Sequence, residues 1–321
     1  FSSVVDGLLL GVAYESASAL QLIPGWQLYL PTMGLPGGIL YFLLCWFFFQ
    51  PREKCQRLWQ WIRNWGWKVP VGCMLAGAAL GGFWLTRPLE MAVHFVDVGQ
   101  GDAALVVTPH GQAFMVDTGG TRDGTFDLGS RVDVPYLLHY GVRQLNYIFL
   151  THAHEDHAAG TAGILRHIPV GHVLGGNESL AVYAKAMKLS YAAPELKKIS
   201  AAESGDHWEL DGVRIDVLYA PQPSADGRQT GNEVSNVLRV SYGQASFLFT
   251  GDLVKEQERE ILQQGISVQS TVLKVGHHGS KTSTTPDFLT AVAPLYAVIS
   301  VGSDNTFGHP HRVTLECLQR A

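Results

Sequence analysis

Charge is scarce in this sequence. Only 16% of its 321 residues are Asp, Glu, Lys or Arg, against about 25% in an ordinary soluble domain. The deficit is uneven: the first ninety residues hold six basic side chains (Arg52, Lys54, Arg57, Arg63, Lys68, Arg87), four acids and none of the 13 histidines. A stretch so poor in charge is expected to be buried, in protein or in lipid. Cysteine is equally sparse. Cys45, Cys55, Cys73 and Cys317 show no pairing pattern, which excludes a disulfide framework or a zinc-cysteine module. A basic surplus is missing as well, since residues 91–321 carry 17 basic and 24 acidic side chains, a formal charge of −7. No broad basic patch can therefore hold nucleic acid, and a phosphate would have to be met by something more local. Repeats and low-complexity tracts are absent, and a hydrophobic content of 46% excludes disorder. Opening on Phe1 and closing at Ala321, within an expected helix over 312–321, the chain reads as a piece of a longer protein.

What is present falls into two parts, 1–90 and 91–321. Residues 29–49 are uncharged over 21 positions and end in Trp46, Phe47, Phe48 and Phe49, although Pro31 and Pro36 interrupt the first half. A second uncharged run, 69–86, carries the small residues Gly77 and Gly81, which let helices approach closely in lipid. Two membrane helices are expected, about 29–49 and 69–86. Between them, Arg52, Lys54, Arg57, Arg63 and Lys68 face a single acid, Glu53, among Trp59, Trp61, Trp65 and Trp67. That composition reads as a basic cytoplasmic loop with an interfacial aromatic belt, and it delivers everything after Arg87 to the outer side. The bland reading, two buried helices of a soluble core, accounts less well for four tryptophans in one loop.

Beyond residue 90 the pattern is one of short strands, over 91–98, 104–108, 113–117, 147–151, 213–219, 236–242, 245–250, 271–275 and 296–301. Helices are expected over 128–139, 158–167, 180–189, 254–264 and 286–291. Runs of strands separated by helices imply an α/β fold in which two sheets pack together with helices outside. Gly243 and Gln244 suit a two-residue type II′ hairpin.

Chemistry concentrates at strand ends. The apolar run 147–151 leads directly into His152, His154, Asp156 and His157, followed by Ala158, Ala159 and Gly160. A loop leaving a strand can aim the first two imidazoles at one ion and the other two groups at its neighbour. Chance clustering of surface histidines is the competing reading, and it does not account for H-x-H-x-D-H after a hydrophobic strand. The run 247–250 ends in Gly251 and Asp252, a carboxylate placed to bridge two cations, and 272–275 ends in Gly276, His277, His278, Gly279 and Ser280. Taken singly Asp252 is as well read as a turn acid; the histidine motif in the same chain favours the ligand. The donor types fit Zn²⁺ or Mn²⁺ and do not choose between them.

These residues resemble the metallo-β-lactamase fold of binuclear hydrolases. More narrowly, 95–103 (FVDVGQGDA), 117–120 (DTGG), 273–280 (LKVGHHGS) and 308–311 (GHPH) are similar to the carboxy-terminal part of the ComEC family, DNA-uptake channel proteins of natural competence. The resemblance covers 91–321. It implies an αββα metallo-β-lactamase-like sandwich preceded by transmembrane helices, in a multi-pass inner-membrane protein whose hydrolase domain lies on the periplasmic or extracellular side. It further implies two divalent ions, Mn or Zn, a nuclease or phosphodiesterase activity, and DNA, the lipid bilayer and other competence proteins as partners. Carried over residue by residue, His152 and His154 hold the first ion, Asp156 and His157 the second, Asp252 bridges, and His277 or His278 completes the second site. A third histidine for the first ion is missing from 230–236 (TGNEVSN), so Asn232 or water would complete it. Asp117 matches an acid that orients a ligand imidazole through its other nitrogen; Asp97 and Asp102 do the same or cap turns. His278, His309, Ser280, Ser283 and His311 are expected near the ester, as donors to phosphate or as the acid for the leaving oxygen, with loop hydrogen bonding as the alternative for each. Two rival functions stay open: hydrolysis of another ester, of the phosphorylcholine or lactone type, and a non-catalytic gate or DNA-binding module of a channel.

Overall fold

The computed structural model describes residues 51–85, 90–121, 126–222 and 231–320, with a few positions between 39 and 49. The expected first membrane run, 29–49, therefore lies largely outside the described residues.

The basic stretch expected to be a loop is instead a helix, α1 (Arg52–Trp65), which ends where Gly66 takes φ 50°. No Pro or Gly interrupts 52–65, and Cys55, Leu58, Ile62 and Trp65 recur at helical spacing, so the same residues that suggested an interface form an amphipathic helix. The second run is helix α2 (Lys68–Leu85), 18 residues long. Among the described residues no helix is long and apolar enough to cross a membrane.

From residue 92 onward two six-stranded sheets form. The first has the order β1 (Ala92–Phe95), β2 (Ala103–Val107), β3 (Ala113–Thr118), β4 (Leu145–Phe149), β5 (Val170–Gly175), β6 (Ile199–Ala201). Its first three strands are antiparallel and the rest parallel. The second sheet runs β12 (Tyr296–Val298), β11 (Val272–Lys274), β10 (Ala245–Phe249), β9 (Val237–Tyr242), β8 (Val213–Tyr219), β7 (His207–Leu210). The hairpin between β9 and β10 turns at Gly243, whose φ is 59°.

Period-two alternation along the strands builds the layers. Ala104, Val106, Phe114, Val116 and Phe149 of the first sheet meet Val213, Ile215, Leu238, Val240 and Phe249 of the second. The intervening residues Leu105, Met115 and Ile148 face outward, onto the helices α3 (Val134–His139), α4 (Glu155–Ala158), α5 (Gly160–His167) and α6 (Leu180–Ala186). On the far side, Leu248 and Leu273 pack against α7 (Lys255–Gln263) and α8 (Pro286–Val292), with α9 (Arg312–Arg320) at the margin. The architecture is an αββα sandwich. Strands β5, β6 and β7 were not legible in the sequence.

Candidate metal centre

Three strands, β4, β10 and β11, end on the same side of the sandwich, and each delivers its ligand-type residues there. The parallel pair β3 and β4 is locked at that end by Asp117. Its Oδ1 accepts from the Thr151 amide at 2.8 Å, and its Oδ2 accepts from the Thr151 hydroxyl at 2.8 Å and from His157 Nδ1 at 2.9 Å. Because His157 spends Nδ1 on Asp117, its Nε2 is turned into the centre, 3.2 Å from Asp252 Oδ1. The Thr151 hydroxyl donates to Asp117 and so can only accept from His152 Nδ1, 3.2 Å away. That leaves the lone pair of His152 Nε2 facing His154 Nδ1 at 3.0 Å. His154 Nδ1 can donate to that lone pair, and a cation could take the proton's place.

Asp252 is 3% exposed. Only Gly fits before it: Gly251 has φ 52°, and a Cβ there would sit 2.6 Å from the Thr151 hydroxyl. After β11 the chain passes through two consecutive left-handed residues, His277 (φ 49°) and His278 (φ 53°). Such conformations cost a non-glycine residue roughly 1–2 kcal/mol each, and they send adjacent imidazoles in different directions. His278 is turned inward, 2% exposed. Its Nδ1 donates to the Ser300 carbonyl at 3.0 Å and lies 3.3 Å from Asp102 Oδ1. Its Nε2 stands 3.6 Å from Asp156 Oδ2 and 3.5 Å from Asp252 Oδ1. His277 is turned to the rim, where Asn232 Nδ2 and the Thr282 hydroxyl contact it at 3.2 and 3.3 Å.

Whether these groups suit a metal can be judged from what they lack. Asp156 Oδ1, His157 Nε2, Asp252 Oδ1 and His278 Nε2 are all buried without a hydrogen-bond partner. Native proteins rarely leave such atoms unpaired, and these converge: within each of the groups His152, His157, Asp252 and Asp156, His157, His278, the donor atoms lie within 4.8 Å of one another. Two imidazoles and two carboxylates are a fitting donor set for Zn²⁺ or Mn²⁺.

The electrostatics agree. Burial pushes the Asp252 carboxyl up, but His157 and His278 outweigh it and hold it well below the carboxylate range; Asp156 is lowered likewise against burial, chiefly by His278 and His157. Burial pulls the imidazoles down, yet Asp252 and Asp117 raise His157 well above its ordinary value, and Asp102 raises His278 to about 9. Without a metal, protons on these imidazoles balance the carboxylates. His152 behaves oppositely: burial and His157 keep it neutral.

Several expected residues take other places. Asp97 does not orient a ligand. It is exposed and its Oδ1 accepts from the Gly99 amide at 3.1 Å, which caps a turn. The hydroxyl of Ser280 pairs with Thr282 Oγ1 (2.9 Å) in its own loop, and that of Ser283 donates to the Leu253 carbonyl (2.5 Å) in the loop after β10. His311 accepts from the Lys281 amide at 3.3 Å. His309 lies beside the rim, its ring 5.6 Å from that of His277, and burial together with His277 lowers it to about 4. His278, not His277, belongs to the buried donor groups, and His154 and Asn232 border a cavity of about 620 Å³ with His277, Thr282 and Lys255. Asp102 is more than a turn cap: it touches His278 and pairs with Lys274. Two further participants stand outside the motifs. Lys274 is a charge at the end of an apolar strand, which is a signal in the sequence. Glu178, whose Oε2 accepts from the Ala153 amide at 2.7 Å and which burial raises to about 7, carries no motif.

Residues 96–303 match the family model of the metallo-beta-lactamase superfamily. The chain is 34% identical over 242 residues to "ComE operon protein 3" of Bacillus subtilis, covering 72% of this chain and 31% of that protein. It is 35% identical over 237 residues to "Competence protein ComA" of Neisseria gonorrhoeae, 72% and 30% respectively. With "Recombination protein 2" of Haemophilus influenzae it shares 32% identity over 239 residues, 74% of this chain and 27% of that protein. The chain thus spans less than a third of the length of each of these relatives. It belongs to the metallo-beta-lactamase superfamily, in the form found in ComEC-family proteins.

Proposed function

We propose that residues 91–321 are a metal-dependent phosphodiesterase that cleaves DNA, attached to an inner-membrane DNA-uptake protein of natural transformation. The observation that carries the catalytic part is the convergence of four buried, partnerless donor atoms from His157, Asp156, Asp252 and His278 at three strand ends. Divalent ions bound there supply an activated water and neutralise charge on the phosphoryl oxygens. The chain's own residues do the positioning. Asp117 and Thr151 fix His157 and His152, and Asp102 with Ser300 fixes His278. Asp252 faces both halves of the centre. His309, neutral at pH 7 because burial and His277 lower it to about 4, offers a hydrogen bond to a phosphate or leaving oxygen rather than a stored proton. The DNA-uptake role is supported by the names of the relatives, and the membrane location by the uncharged runs 29–49 and 69–86 on either side of a basic, tryptophan-rich helix. In this arrangement that helix lies on the cytoplasmic face and the hydrolase domain outside.

Incubation with labelled single-stranded DNA and Mn²⁺ or Zn²⁺ tests the activity: cleavage that EDTA stops is expected, and an inert protein with fully bound metal would defeat the reading. Reporter fusions after Lys68 and after Pro88 test the topology and are expected to report opposite sides.

A further inference from the structure

We propose that Glu178 is a positioning residue of the metal centre: its carboxylate fixes the loop that presents His152 and His154, and so governs how tightly the ion expected at those two imidazoles is held. The inference rests on the metal-dependent reading above. Glu178 stands between β5 and α6, outside every ligand motif. Its Oε2 accepts from the amide of Ala153, the residue between the two histidines, at 2.7 Å. The Gly231 amide and the Tyr183 hydroxyl are the next polar neighbours of the carboxylate.

His154 is supported differently from the other imidazoles of the centre. His152, His157 and His278 are buried, and each has its Nδ1 held, by Thr151, Asp117 and Ser300 respectively. His154 is half-buried, and its Nδ1 faces His152. It borders open space on two sides: a cavity of about 510 Å³ shared with Glu178, Lys185 and Tyr191, and the one of about 620 Å³ shared with Asn232 and His277. Against its ring lies the backbone of Gly231, where φ is 71° and a Cβ would sit 2.4 Å from His154 Nε2. With packing this loose, the direction of the ring depends on the backbone that carries it, and Glu178 holds that backbone.

An amide bonded to a carboxylate is held about twice as strongly as one bonded to a neutral acceptor, and one bond to Ala153 restrains the peptides that lead to both histidines. The base of this clamp is itself rigid. Tyr183 of α6 is 1% exposed and its hydroxyl accepts from the Gly176 amide at 2.7 Å, which fixes the segment between β5 and Glu178. The need for such support follows from the ligand count: residues 230–236 offer no third histidine, and an ion with fewer protein ligands depends more on how well the remaining imidazoles are oriented.

The test compares Glu178→Asp, which keeps the charge but is too short to reach the Ala153 amide, with Glu178→Gln, which keeps the reach and an acceptor oxygen but gives up the charge. Mn²⁺ binding to the full chain is followed by calorimetry and by electron paramagnetic resonance, in which two neighbouring ions give a coupled spectrum and a lone ion an isolated one. The wild type and Glu178→Gln are expected to bind two ions. Glu178→Asp is expected to bind one ion as before and the other about 10- to 100-fold more weakly, with the isolated spectrum at intermediate Mn²⁺. Wild-type binding in Glu178→Asp, equal weakening of both ions, or a loss in Glu178→Gln as large as in Glu178→Asp would overturn the proposal. Failure of the underlying reading looks different: the wild type itself would hold fewer than two ions, and the proposal would fall with it.

Discussion

Lys274 and Asp102 form an ion pair in the interior, with side chains only 4% and 8% exposed. Asp102 also faces His278 from 3.3 Å, so the pair connects a charge at the end of β11 to the metal centre. Burial alone would raise the Asp102 carboxyl, and the Lys274 ammonium, with His278, instead holds it at about 2.

Lys274→Met should therefore destabilise the protein by about 3–5 kcal/mol, the usual cost of leaving one buried charge unpaired. Adding Asp102→Asn to Lys274→Met should recover part of that loss. Urea unfolding of the three proteins checks both statements; a single mutant as stable as wild type would mean that Lys274 is not needed to offset Asp102.

Asp117→Asn keeps the shape of the side chain and gives up the acceptor that holds His157 Nδ1. Metal affinity should fall about 10- to 100-fold, as is typical when the partner of a ligand imidazole is removed. Titration with Mn²⁺ or Zn²⁺ followed by calorimetry measures it.

Asp252→Asn and His309→Ala should part company. The first removes a buried carboxylate from the donor set, so metal content and hydrolysis should fall together. The second leaves that set intact, so elemental analysis should find normal metal while turnover drops by roughly a hundredfold, as when one hydrogen-bond donor to developing charge is lost. Full activity in Asp252→Asn would mean that hydrolysis does not depend on this centre.

The metal-free protein should lose stability as pH rises. His278 is raised to about 9 in the folded state, against about 6.5 when unfolded. Its contribution is complete below pH 6.5 and disappears by pH 9, a change on the order of 3 kcal/mol. Thermal melts in EDTA should show the Tm falling across that window, and saturating metal, which displaces the protons, should flatten the slope.

Among the described residues, the buried core clusters consist of residues after 90. A chain beginning near residue 90 should thus fold without α1 and α2 and melt cooperatively in calorimetry. An aggregated or molten product, even with metal, would place the boundary elsewhere.

The elements read correctly are those in which local pattern and burial coincide. The strand over 147–151 is apolar because it lies in the middle of its sheet, and the helices over 180–189 and 254–264 show a helical period because one face is buried. Strands β6 and β7 escaped notice because each lies at an edge of its sheet, where little apolar alternation is required, and β5 is broken up by Gly171 and His172. The helix Arg52–Trp65 resembles a loop by composition, rich in charge and tryptophan, and only the spacing of Cys55, Leu58, Ile62 and Trp65 carries its helical period.

The sequence by itself determined the inventory of the centre: H-x-H-x-D-H after a strand, Asp252 after a second and a histidine pair after a third, because strand-end positions follow from short-range hydrophobic pattern. Only the tertiary structure gave His277 and His278 different places, since adjacent residues share every local signal and the left-handed backbone at both sends His278 inward and His277 to the rim, 3.7 Å from Asp252. It also decided that the Ser283 hydroxyl ties its loop to the one after β10, and that Asp102 and Lys274, 172 positions apart, share one charge balance. Such relations depend on which strand ends meet across two sheets, and no local pattern carries that information.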